Sequence, residues 1–201
     1  MQEIAPGIHH WTAYRDTIGA PVSSYWIQPA RVVVDPMLPD GGVEAFGAAA
    51  VAPRQVVLTT GLHDRESREI AAGLGIPIRA PMEARDRLGD ALDFVGYRDQ
   101  EELAPGVQAV HIGILCPDEY ALSVAAGGGA LVFADAIHHD GQAIGFFPDS
   151  LLGDDPEAVK DGLRRQLRTL LERDFAHLLF THGGPLVDDG KRALRAFLDA
   201  G

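Results

Sequence analysis

Apolar and polar residues alternate with a period of two in the first part of the chain. The runs GIHHWTAY, SSYWIQ and RVVVDP, with a Pro-Ala-Arg turn between the last two, predict an antiparallel meander that ends at Asp35. The period then changes. VEAFGAAAV (43–51) and DRESREIAAGLG (64–75) carry helical spacing, while QVVLTT (55–60) and IPIRAP (76–81) read as buried strands. Further on, YALSVAA (120–126) and ALVFADAI (130–137) flank Gly127 to Gly129. A strand rather than a helix follows those glycines, so they predict a hairpin turn and not a phosphate cradle. A helix opens at Pro156 behind Asp155, with an apolar stripe of Val159, Leu163, Leu167, Leu170 and Leu171. HLLFTH (177–182) and a closing helix, DGKRALRAFL (189–198), complete the pattern.

Two similar halves, each a meander followed by strand and helix alternation, predict two sheets packed face to face with helices outside, an αββα sandwich. No low-complexity tract or linker interrupts the 201 residues, so residues 1–201 are expected to form one domain. Charge narrows the partners. A formal net charge of −12 repels phosphate backbones and anionic membrane surfaces, which argues against nucleic acid and membranes as partners. The amino terminus lacks a basic start followed by an apolar run, and no stretch of about 18 apolar residues occurs, so a soluble, cytoplasmic protein is expected. The single Cys116 forms no intrachain disulfide and reads as a small packed hydrophobe.

Four landmarks then carry a resemblance: VVVDP, VVLTTGLHDRES, LVFADAI and LLFTHGGP, in that order. Their order is similar to that of the metallo-β-lactamase superfamily and spans nearly the whole chain. In that family the second landmark is a Thr-His-x-His-x-Asp-His loop, the third ends in a metal-bridging aspartate, and the fourth supplies a last histidine. The resemblance implies Asp64 as the loop aspartate, Asp135 as the bridging aspartate and His182 as the terminal histidine, with Asp64 and Asp135 as the acidic groups of any surviving reaction. It also puts Thr60 and Leu62 where two histidines belong, and Arg65 where a third does. A further family histidine, from a Pro-Gly-His turn, maps to Leu115, or to Cys116 or His111 if the loop is shifted.

Ligand counting follows from these matches, because a zinc centre usually takes three or four donors from the protein. A two-metal cluster is not expected. Asp64, Asp135 and His182 would suit at most one divalent ion, zinc, manganese or iron. Arg65, always charged and forked, is expected to pair with Asp64 or Asp135 in place of an ion. His63, beside Asp64, is a candidate substitute ligand, but it falls on a spacer position and is expected to point away from the site. His138, His139 and the segment to Leu151 should lie near its mouth, with Phe146, Phe147 and Leu151 as a lid or as core.

Two functions follow. One is a metal-free binding or regulatory protein on a hydrolase scaffold, without a cofactor. The other is a one-metal hydrolase of a small ester, thioester or phosphoester. A small-molecule ligand suits either, and a homo-oligomer with Trp11, Tyr25 and Trp26 at its interface is a third, structural possibility.

Overall fold

The computed structural model describes residues 1–47 and 51–200. The first sheet takes its strands in chain order: β1 (Gln2–Ala5), β2 (Ile8–Arg15), β3 (Ala20–Ile27), β4 (Val32–Val34), β5 (Gln55–Val57), β6 (Ile78–Pro81) and β7 (Val95–Tyr97). The first four are antiparallel, as the meander predicts, and β4 to β7 run parallel because helical segments return the chain between them. The second sheet contains β8 (Glu102–Ala104), β9 (Val107–His111), β10 (Tyr120–Val124), β11 (Ala130–Phe133) and β14 (His177–Phe180), in the order β14-β11-β10-β9-β8. A small hairpin, β12 (His138–His139) and β13 (Ile144–Gly145), lies between β11 and β14 in sequence.

Among the described residues five α-helices accompany the sheets: α1 (Glu44–Gly47), α2 (Ser67–Leu74), α3 (Arg85–Leu88), α4 (Pro156–Leu170) and α5 (Gly190–Asp199). Asp155 accepts the Ala158 N–H at the start of α4, and Gly75 ends α2 at φ 64°, a conformation glycine adopts without a Cβ penalty. The expected helix over 43–51 begins as α1, and its residues 48–50 lie outside the described residues. The triple glycine joins β10 to its antiparallel neighbour β11, as expected of a turn.

Three apolar clusters make the layers. Tyr25, Val34, Val57, Leu122, Val132 and Leu179 fill the space between the sheets. Trp11, Trp26, Phe46, Leu58 and Ile70 pack the helices of the first half onto the outer face of the first sheet. Leu163, Leu167 and Leu170 of α4 and Leu194 and Leu198 of α5 cover the second sheet. Burying each of these leucines contributes about 1.5–3 kcal/mol, so the outer layers are held mainly by such stripes. The result is the expected αββα sandwich. Trp11, Tyr25 and Trp26 are core residues, 5%, 0% and 1% exposed, which corrects their placement at a subunit interface. No helix among the described residues is long and apolar enough to cross a membrane.

Candidate functional site

Register brings the first two site residues together. β11 and β14 run parallel with Phe133 opposite Phe180. Asp135 and His182 each follow two residues later, so they leave the sheet at the same level, and His182 Nε2 lies 3.2 Å from Asp135 Oδ1. The terminal loop is fixed further by the His139 N–H on the His182 carbonyl and by the Tyr25 hydroxyl on the Phe180 carbonyl.

The third residue is His63, not Asp64. After β5 the chain enters a 3₁₀ turn, Gly61–His63, in which residues three apart share a face. Thr60 and His63 therefore turn inward together, while Leu62 and Asp64 are exposed. Asp118 holds the turn by accepting the Gly61 N–H at 2.8 Å and the Thr60 hydroxyl at 3.2 Å. His63 is 4% exposed, and its Nε2 stands 3.3 Å from Asp135 Oδ1 and 3.4 Å from His182 Nε2. Its other nitrogen, Nδ1, lies 3.0 Å from Asp35 Oδ2. The fully buried Asp35 also accepts the backbone N–H and the hydroxyl of Thr59.

Two expectations are thereby corrected. The Asp64 carboxylate is directed to solvent, half exposed, where it accepts the Arg65 N–H at 2.7 Å and sits 3.8 Å from Arg15. It does not meet Asp135 and His182. Arg65 does turn toward the site, from a left-handed backbone at φ 40°. Its Nη1, however, donates to the carbonyls of Ser23 at 2.9 Å and Asp35 at 2.7 Å, and no carboxylate among the described residues lies within ion-pair distance. Backbone oxygens thus take the place expected for Asp64 or Asp135.

Electrostatics bind the group together. For His63, burial lowers proton affinity most and Arg65 lowers it further, but Asp135 and Asp35 outweigh both and raise its pKa to about 9. For Asp135, burial works against ionisation, yet His63 and His182 hold the carboxyl well below the usual carboxylate range.

A buried acid that the spacing argument missed stands beside them. Glu119, 1% exposed, accepts the Asp135 N–H at 3.0 Å through Oε1, while its buried Oε2 has no partner among the described residues. Burial first, then Asp135, pushes its pKa up to about 8. Leu115 and Cys116 line a cavity next to the site and do not join the donors. His111 is turned to the Pro117 carbonyl at 2.8 Å and lies tilted against the Tyr120 ring. His138 faces the Phe146 carbonyl and His139 the Gly184 carbonyl. Phe146, partly buried, packs on Phe197 against the core, whereas Phe147 stands edge-on to His182 and lines the cavity with Leu151.

No protein-family model matches the chain, and neither does any curated protein. Solved structures do. A metallo-β-lactamase from Pontibacter korlensis superposes with a TM-score of 0.71 at 14% identity, covering 100% of this chain and 98% of that one. One from Erythrobacter litoralis gives 0.66 at 18% identity over 98% and 93% of the two chains. A Cronobacter sakazakii metallo-β-lactamase described by a HARLDQ motif gives 0.58 at 17% identity over 90% and 79%. Agreement over whole chains at such low identity establishes architecture, and the chain has the metallo-β-lactamase fold in a strongly diverged sequence.

Proposed function

We propose that this is a hydrolase-like protein that holds one divalent metal ion on His63 Nε2, Asp135 Oδ1 and His182 Nε2, and cleaves a small ester, thioester or phosphoester. One observation carries the reading. The three donor atoms form a triangle with edges of 3.2, 3.3 and 3.4 Å. Three ligands on one face of a tetrahedral zinc site, with bonds of about 2.0–2.1 Å, stand about 3.3–3.4 Å apart. Two imidazoles and a carboxylate suit zinc, and also manganese or iron.

The chain's own residues are arranged for such a group. Asp35 fixes the ring of His63 through Nδ1, which leaves Nε2 for the ion, the carboxylate-histidine arrangement that orients metal ligands. Asp135 brings the negative charge of the triangle, and its backbone N–H is anchored by Glu119. Thr60, Leu62 and Arg65 contribute no imidazole, so the reading is of one ion and not two. A bound ion of this kind supplies a Lewis acid and a water of lowered pKa. Arg65 carries a fixed positive charge near the triangle and reduces its affinity for cations, while its bonds to the Ser23 and Asp35 carbonyls hold it in place.

The metal-free binding or regulatory reading is favoured by a different observation. With its pKa near 9, His63 can itself be the cation between Asp35 and Asp135, satisfying both. Metal analysis separates the two. Protein purified without chelator and dialysed against zinc is expected to retain about one equivalent per chain, and His63→Ala and His182→Ala to lose it. Retention of none of zinc, manganese or iron by the folded wild type would establish the metal-free reading instead.

A further inference from the structure

Two cavities of opposite character meet at Asp135 and His182. The larger, about 420 Å³, is lined by Leu62, Leu115, Cys116, Phe147 and Leu151. That volume suits one aromatic ring or a short alkyl chain, and its walls offer little but carbon. The smaller, about 230 Å³, is lined by Arg15, Ile18 and Val22, with Arg65 and His63. Leu62, Asp135 and His182 belong to both.

Charge distinguishes the smaller cavity from the rest of the surface. The chain as a whole carries −12, yet here two guanidinium groups face one space. Neither is fully engaged. Arg65 spends Nη1 on two carbonyls, and its buried Nη2 has no hydrogen-bond partner among the described residues. Arg15 donates through Nε to Thr17 and keeps only a 3.8 Å contact with the exposed Asp64, a pairing of small worth in water. A planar carboxylate matches the forks that these side chains present. The rim is apolar: Ile18 is 49% exposed, Leu62 42% and, toward the larger cavity, Leu151 62%, an unusual exposure for residues of their kind.

From this juxtaposition we infer that the site takes an anionic amphiphile, with an aromatic or short alkyl group in the Leu115, Phe147 and Leu151 cavity and a carboxylate against Arg15 and Arg65. The inference rests on the proposed hydrolase in one respect only: the bond to be cleaved then lies between the two groups, beside Asp135 and His182. Hydrolysis there adds hydroxide to the acyl carbon and returns a proton to the departing alcohol or thiol, with no oxidant or reductant needed.

Binding to chelator-treated protein tests the inference apart from metal and turnover. The probes are 4-phenylbutyrate, its neutral amide and 4-phenylbutylamine, titrated calorimetrically. The carboxylate is expected to bind about tenfold more tightly than the amide, and the amine most weakly, as a charge-assisted pair to arginine requires. Arg15→Gln should bring the carboxylate to the level of the amide and leave the amide unchanged. Leu151→Asp, at an exposed position, should weaken acid and amide together while the circular dichroism spectrum is retained. Equal affinity for acid and amide, no effect of Arg15→Gln, or no binding of any probe at millimolar concentration would overturn it. Absence of bound metal or of turnover bears on the hydrolase alone and leaves these results standing.

Discussion

Asp35 and Glu119 are both buried carboxylates, one on each side of the donor triangle, and their surroundings differ in kind. Asp35, at the end of β4, accepts two donors from Thr59 and faces His63 Nδ1. Glu119, just before β10, accepts the Asp135 N–H, and its second oxygen is buried with no partner among the described residues. A carboxylate saturated with donors can anchor a neighbouring ring, because its charge is answered from several directions. One with an unanswered oxygen beside another aspartate instead tends to hold a proton. Similar burial therefore supports opposite roles, and the hydrogen-bond inventory decides which.

The sharpest way to break this contrast is to remove each acid. Asp35→Ala would leave Thr59 and His63 without an acceptor in the core, so it should cost on the order of 3–5 kcal/mol in urea unfolding. It should also weaken zinc retention by about 10–100-fold, since His63 loses its orientation. Equal, small losses for Asp35→Ala and Glu119→Ala would dissolve the distinction.

Glu119→Gln should have the reverse sign and a smaller size. Because the folded value of Glu119 lies above the usual carboxylate range, the stability it contributes is complete at acid pH and is lost as pH rises through about 8. The amide has no such loss. In chelator-treated protein the variant should match the wild type at pH 5 and exceed it by about 1 kcal/mol at pH 9. A wild type whose stability does not decline over that interval would show that Oε2 finds a partner.

The smallest effect concerns Cys116, on the Glu119 side. Burial first, then Glu119 and Asp118, pushes its thiol up to about 11. Alkylation by iodoacetamide should accordingly be about 100-fold slower at pH 8 than that of a free cysteine peptide, rising about tenfold per pH unit. A rate like the peptide's would mean that the thiol is solvated.

The sandwich was legible in the sequence because each layer depends on periodicity, which single residues scarcely disturb. Asp135 and His182 were legible for a related reason: each ends an apolar run, and parallel neighbouring strands deliver such ends to one place. His63 was not. Its direction depends on a single 3₁₀ turn, and a loop that winds with three residues per turn puts Thr60 and His63 on one face, where alternation would have chosen Leu62 and Asp64. Glu119 escaped because the matching turn lacks its histidine and glycine, so the spacing gave no anchor and pointed to Leu115. The partners of Arg65 are main-chain oxygens, which no pattern of side chains reveals.

Three hydrogen bonds cross from one sheet to the other at the His182 loop: Ser23 N–H to Thr181, the Ser23 hydroxyl to Gly183, and the Tyr25 hydroxyl to Phe180. At the same place a Cβ added to Gly183 would lie 1.7 Å from the His139 carbonyl oxygen, so the loop admits no side chain there. This seam makes the strand ends of the two sheets a single mechanical unit. Sliding one sheet over the other would have to tear the seam as well as the packed core between them. The amides of Ser23 and Thr181 should consequently be among the last to exchange with deuterium, opening only when the whole molecule does.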